Sequence, residues 1–232
     1  MEQHYMVYGV RGAVVALPGA NGFATCSDVV KSCLLAQLVA NKKMQMKAAV
    51  DWYDAYLQVV DDFWMRSLKT QQHFSLGPQD GGSPLEWAAG KMTNYKDRSG
   101  QAFSAFLPHI AHFNSTVAAM GELPENTSPV LQEVRLLTIL ALTPTSIISL
   151  YIGFQTRQVL NANPWSQVFR VEEVVGPVCI RQARANLSEL LYAQAREAVD
   201  LKLRDKLSDN LAKLGEIADG VCKPLFTVEG RS

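Results

Sequence analysis

The chain has 232 residues, in which 22 Lys and Arg balance 22 Asp and Glu. That balance gives no overall field to draw nucleic acid or an anionic membrane surface. An apolar share of 48% and a charged share of 19% leave ample material for a core, and the length reads as one globular domain over residues 1–232.

The first ten residues, MEQHYMVYGV, lack the basic and apolar regions of a secretory signal. The expected compartment is therefore the cytoplasm, where the sequons at Asn114, Asn126 and Asn186 carry no meaning. Residues 5–17 are rich in Val and Tyr and read as a short strand or hairpin. Pro18 to Gly22 is a turn, and a helix should start near Ser27 or Asp28 with Val29, Val30, Cys33, Leu34, Leu38 and Val39 on one face. Gly19-x-x-Gly22 precedes that helix but lacks the Lys and hydroxyl of a phosphate-binding loop, so it reads as a tight turn.

Residues 47–70 read as the clearest helix. Trp52, Tyr53, Tyr56, Leu57, Val59, Val60, Phe63 and Trp64 form a broad apolar face, with Asp51, Asp54, Asp61 and Asp62 opposite. Asp61-Asp62-Phe63-Trp64-Met65 begins like the aspartate-rich Mg²⁺ motif of prenyl-diphosphate chemistry. The third aspartate is missing and no second motif follows, so a solvated acidic face is the preferred reading. A loop over 71–84 leads to a short helix from Ser83-Pro84. Asp97 or Ser99 then caps a helix with Phe103, Phe106, Leu107, Ile110, Phe113, Val117 and Met120 as its core stripe, kinked or restarted at Pro108. His109 and His112 lie three apart without the carboxylate partners of a metal helix, and no metal or cofactor is indicated.

After a loop over 123–129 comes the run Leu136–Phe154, nineteen residues without a formal charge. It is long enough to cross a bilayer, but Pro144 divides it into two pieces of core-helix length. The preferred reading is a buried helical hairpin, with membrane insertion as the competitor. Residues 168–175 suggest a second strand, partner to the N-terminal one. Gly176-Pro177 then introduces a long surface helix, with Leu187 to Val221 repeating at helical spacing, divided near Ser208-Asp209 and capped at Gly220. The tail has a short apolar segment at Leu225-Phe226. The fold class that follows is mainly α with a minor β component (α+β), helices packing around a central apolar hairpin.

Chemistry is best sought at the thiols. Cys26, Cys33, Cys179 and Cys222 form no Cys-x-x-Cys pair, which argues against a zinc knuckle or a thioredoxin-type dithiol. Cys26 falls at one expected helix start, and Cys179 in the first turn of another, after Gly176-Pro177. Unpaired amides there favour a thiolate, so these two are the candidate nucleophiles. A Cys–His dyad requires His4, His73, His109 or His112 to fold close by. Cys33 and Cys222 read as packing residues. The functional expectation is a helical core that binds a long apolar, fatty-acyl-like ligand, with Trp52, Tyr56, Phe63, Leu140, Ile147 and Tyr151 against the chain. Its enzymatic form is acyl transfer through a cysteine thioester. The alternatives are a non-enzymatic interaction protein forming homo-oligomers, and a membrane-associated protein.

Overall fold

The computed structural model of the chain describes residues 4–48, 51–91, 97–113, 131–218 and 221–224. Val117, Met120, the loop over 123–129, Gly220 and Leu225-Phe226 lie outside the described residues. Tyr5–Val10 (β1) and Ala13–Pro18 (β2) pair antiparallel, as the Val- and Tyr-rich sequence indicates. The turn between them places Arg11 at φ 52°. The buried Gln37 side chain holds that turn, accepting from Gly12 N at 3.1 Å and donating to Val10 O at 2.8 Å.

Gly22–Thr25 (α1) and Ser27–Gln45 (α2) follow. Gly22 packs tightly on the preceding strand, where a Cβ would meet that of Leu17 at 2.8 Å. Trp52–Asp61 (α3) starts with Asp51, whose carboxylate accepts from Asp54 N at 2.7 Å. The helix ends nine residues before the expected boundary. Asp62 and Phe63 turn the chain, and Trp64–Phe74 forms β3. Ladder pairing along the length of this segment outweighs its helical spacing. Pro84–Lys91 (α4) and Arg98–Ile110 (α5) begin where their capping residues predict, and α5 continues through Pro108.

The central run is not a helical hairpin. It is a strand pair, Gln132–Thr143 (β4) and Ser146–Thr156 (β5), joined at Pro144-Thr145. Proline favours the first central position of such a turn. Both strands are covered on both sides, so neither shows the alternation that marks a half-buried strand. Val174–Leu187 (β6) lies between β5 and β3. The strand expected at 168–175 therefore begins only at Val174, and it pairs with β5 rather than with the N-terminus. The expected long C-terminal helix is also shorter. Glu189–Leu203 (α6), capped by Ser188, and Leu207–Asn210 (α7) are helical, and Leu211–Ala218 (β7) and Val221–Pro224 (β8) return to the sheet.

The result is one eight-stranded mixed sheet in the order β3-β6-β5-β4-β2-β1-β7-β8. This overturns the mainly α expectation: the sheet is the centre, and the helices cover it. β2 and β4 pair in parallel, and the other pairings are antiparallel. On one side, Leu137, Ile139, Ile147 and Tyr151 pack with α2, α3 and α6. On the other, Leu136, Leu140, Ile148 and Ile152 pack with α4, α5 and Trp165. Among the described residues no helix is long and apolar enough to cross a membrane.

Candidate functional site

The helix-start argument for Cys179 does not survive the fold, because Cys179 sits within β6. Its chemistry comes instead from its neighbours across the sheet. His73 of β3 is in register on one side and Gly153 of β5 on the other. His73 Nε2 lies 3.9 Å from Cys179 Sγ. The thiol is half-buried and His73, on the edge strand β3, is exposed. The Gln71 amide approaches the same Nε2 at 2.6 Å. The amide nitrogen can only donate, so Nε2 is the acceptor, and its single lone pair must exchange Gln71 for the thiol before His73 can take the Cys179 proton.

Two residues further along β6, Arg181 is buried and bridges to Asp54 and Asp51 at the start of α3. Burial raises the Cys179 thiol above its ordinary value, and Arg181 partly opposes this by favouring the thiolate. Asp51 and Asp54 push in the same direction as burial. Cys179 at rest is therefore a protonated thiol that needs a base, and His73 stands within reach of it.

Beside the thiol lies a layer of flat rings. Tyr53 stacks on Tyr151 with centroids 4.3 Å apart, and Trp52 stacks on Tyr56 at 5.6 Å. Arg181 lies over Tyr53 at 5.4 Å, and Arg135 over Trp52 at 5.8 Å. Each such aromatic pair adds about 0.5–1.5 kcal/mol beyond area burial. Burial pushes the Tyr53 hydroxyl up to about 12 and raises Tyr151 as well, with Glu133 and Asp51 adding to the latter. Both phenols stay neutral at physiological pH.

The expected ligand-binding residues divide between the two sides of the sheet. Trp52, Tyr56, Ile147 and Tyr151 share the α3 side, and Phe63 packs against that layer, edge-on to Tyr192 at 5.3 Å. Leu140 faces the α5 side and is separated from them by the sheet. Cys26 is at its expected place, immediately before α2, but is fully buried with its thiol raised by that burial. It lies on a different element from Cys179, with Thr25 as its hydroxyl neighbour at 3.7 Å. Cys33 is a core thiol, pushed up to about 12 by burial. Among the described residues no group of His, Cys, Asp and Glu is arranged to hold a metal ion. Asp61 instead pairs with Arg66, and His109 and His112 have no carboxylate beside them in such a group. Arg181, the cation nearest the thiol, escaped the sequence reading. Helical spacing in its segment places residues 179 and 181 on different faces, whereas a strand places them on one.

Fold and site together describe a two-sided α/β sheet carrying a Cys–His pair near one edge strand. No family model matches the chain, and no curated protein matches it. Among solved structures, the Evf virulence factor aligns over 90% of this chain and 84% of that one, at 12% identity and a TM-score of 0.34. So loose an overlap transfers neither fold nor function.

Proposed function

We propose that the protein accepts a long acyl group on Cys179 as a thioester, and that it acts in a reducing, cytoplasmic setting. The observation that carries this reading is the placement of His73 Nε2 3.9 Å from the half-buried thiol, on adjoining strands. Such distances tighten when a substrate is bound. In the loading step, the Cys179 thiol gives its proton to His73 as sulfur attacks the carbonyl carbon of an acyl thioester. The new C–S bond forms, the donor's C–S bond breaks, and His73 returns the proton to the departing thiol. No oxidation or reduction is involved. Arg181 supplies positive charge beside the reacting sulfur.

The acyl chain passes from Cys179 over Tyr151 towards Trp52 and Tyr56. With Tyr53 and Tyr151 in contact at 4.3 Å, this layer is closed, so loading parts α3 from the sheet. The test is intact mass after incubation with a long-chain acyl thioester. The expected result is one acyl increment, removed by hydroxylamine and absent in Cys179→Ser. An unmodified mass, or an adduct that persists in Cys179→Ser, overturns the reading.

A further inference from the structure

An open groove of about 440 Å³ runs between α3 and the strands β3 and β6. Its volume falls within the range of roughly 300–1,000 Å³ typical of small-molecule sites. Gln71 and Arg181 line it and also touch the Cys–His pair, which lies one step further along β3 and β6, just outside the groove. Its walls are mixed in character, unlike the aromatic layer on the other side of Tyr53. The strand wall carries Arg66, Lys69 and Arg181, and the helix wall carries Asp54 and Asp61.

Ion pairing engages both arginines of the groove. Arg66 is bound to Asp61, and Arg181 to Asp54 and Asp51. Lys69 is exposed, and no carboxylate among the described residues pairs with it. Three cations, Arg66, Lys69 and Arg181, thus meet three carboxylates, Asp51, Asp54 and Asp61, and Lys69 is the groove cation whose charge is left available to a ligand anion. In addition, Arg181 Nε is buried in the wall without a hydrogen-bond partner. That is a donor awaiting an acceptor. A free alkyl chain satisfies neither feature. A polar ligand with amide and phosphate oxygens supplies an anion for Lys69, and it meets the buried Arg181 Nε only after the wall around that atom opens.

We propose that this groove binds the carrier half of the acyl donor, a phosphopantetheine-type thiol, with its phosphates at Lys69 and its sulfur at Cys179. This inference rests on the thioester reading, and it names the donor class. The carrier and the acyl chain then leave the thiol in different directions, the carrier along the groove and the chain over Tyr151. On transfer the carrier departs as the free thiol, having taken its proton from His73.

The test uses full-length Cys179→Ser, which cannot form a thioester or a mixed disulfide at that position, titrated calorimetrically with coenzyme A. Binding is expected, at least tenfold weaker with pantetheine, which has no phosphates. Lys69→Glu should weaken coenzyme A binding at least tenfold, while Lys213→Glu, on β7, should leave it unchanged. Circular dichroism of each variant confirms folding. Absence of binding, equal binding of pantetheine, or indifference to Lys69→Glu overturns the proposal. Inorganic phosphate binding as tightly as coenzyme A reduces the groove to a simple anion site and also overturns it. A hydroxylamine-labile adduct without coenzyme A binding retains the thioester and rejects the groove. Binding without any adduct does the reverse.

Discussion

Tyr151 lays its ring over Gly153, two residues further along the same strand. A Cβ at Gly153 would come within 2.7 Å of the Tyr151 hydroxyl oxygen. The glycine is therefore what lets the tyrosine lie flat against Tyr53, next to the position where Cys179 pairs with β5. Gly153→Ala should displace the ring and lower stability by about 1–3 kcal/mol. Tyr151→Ala should lose about 3–5 kcal/mol, the range for removing a large buried ring. Urea unfolding followed by circular dichroism measures both. A neutral Gly153→Ala would mean that the ring has another resting place.

The reactivity of Cys179 should depend on pH in a defined direction. Burial disfavours the thiolate, so alkylation should accelerate up to a pH above the ordinary thiol range. Arg181→Gln removes the favourable charge and leaves Asp51 and Asp54 unopposed. The midpoint should then move higher, slowing alkylation at pH 8 by about three- to tenfold. A Cys222→Ser background removes the other half-exposed thiol, and the buried Cys26 and Cys33 should stay unlabelled in the native protein. Faster alkylation in Arg181→Gln would contradict the assigned electrostatics.

Gln37 should matter well beyond its own helix. Its amide satisfies both Gly12 N and Val10 O, at the tip of the first hairpin. Gln37→Leu matches it in bulk but leaves both backbone groups without their partner, a loss of about 2–3 kcal/mol. The midpoint of urea unfolding should fall with little change in slope. Exchange of the Gly12 amide hydrogen should quicken more than that of amides in β5.

Acid should weaken the start of α5. Asp97 is held below the usual carboxylate range by the Gly100 amide and by Arg184. A carboxyl with a lower value in the folded than in the unfolded state stabilises the fold above its unfolded value. That contribution fades as pH falls from the ordinary carboxylate range through the lower folded value. Asp97→Asn should therefore flatten the dependence of Tm on pH across that window. An unchanged profile would show that the Arg184 contact contributes nothing in solution.

What could be read from the sequence was local. The hairpin at 5–17, the helix from residue 27 and the caps at Ser83 and Asp97 all depend on near neighbours, and each was visible. The central run was misread because strands covered on both sides lose their period-two pattern. The useful signal was residue type: Ile139, Thr138, Ile147, Ile148 and Ile152 are β-branched, and Pro144 stands where a turn must fall. Trp64–Phe74 was misread because long-range pairing with β6 decides its conformation, and no window of sequence contains both strands. The Cys179–His73 pair belongs to the same category. Its members are 106 residues apart and meet only through that register.

The parallel contact of β2 with β4 runs over four residue pairs, from Ala13–Leu137 to Ala16–Leu140. It joins two antiparallel blocks of very different sequence span. One block, β3 to β6, is closed within residues 64–187. The other joins β1 and β2 near the start of the chain to β7 and β8, which begin at Leu211. During translation the first block can form while β1 still has a bare flank, because β7, the strand that covers it, is made only after that block. A newly made chain therefore carries an unpaired Val- and Tyr-rich edge until residues 211–218 are made. That edge is where a chaperone, or a second nascent chain, would first take hold.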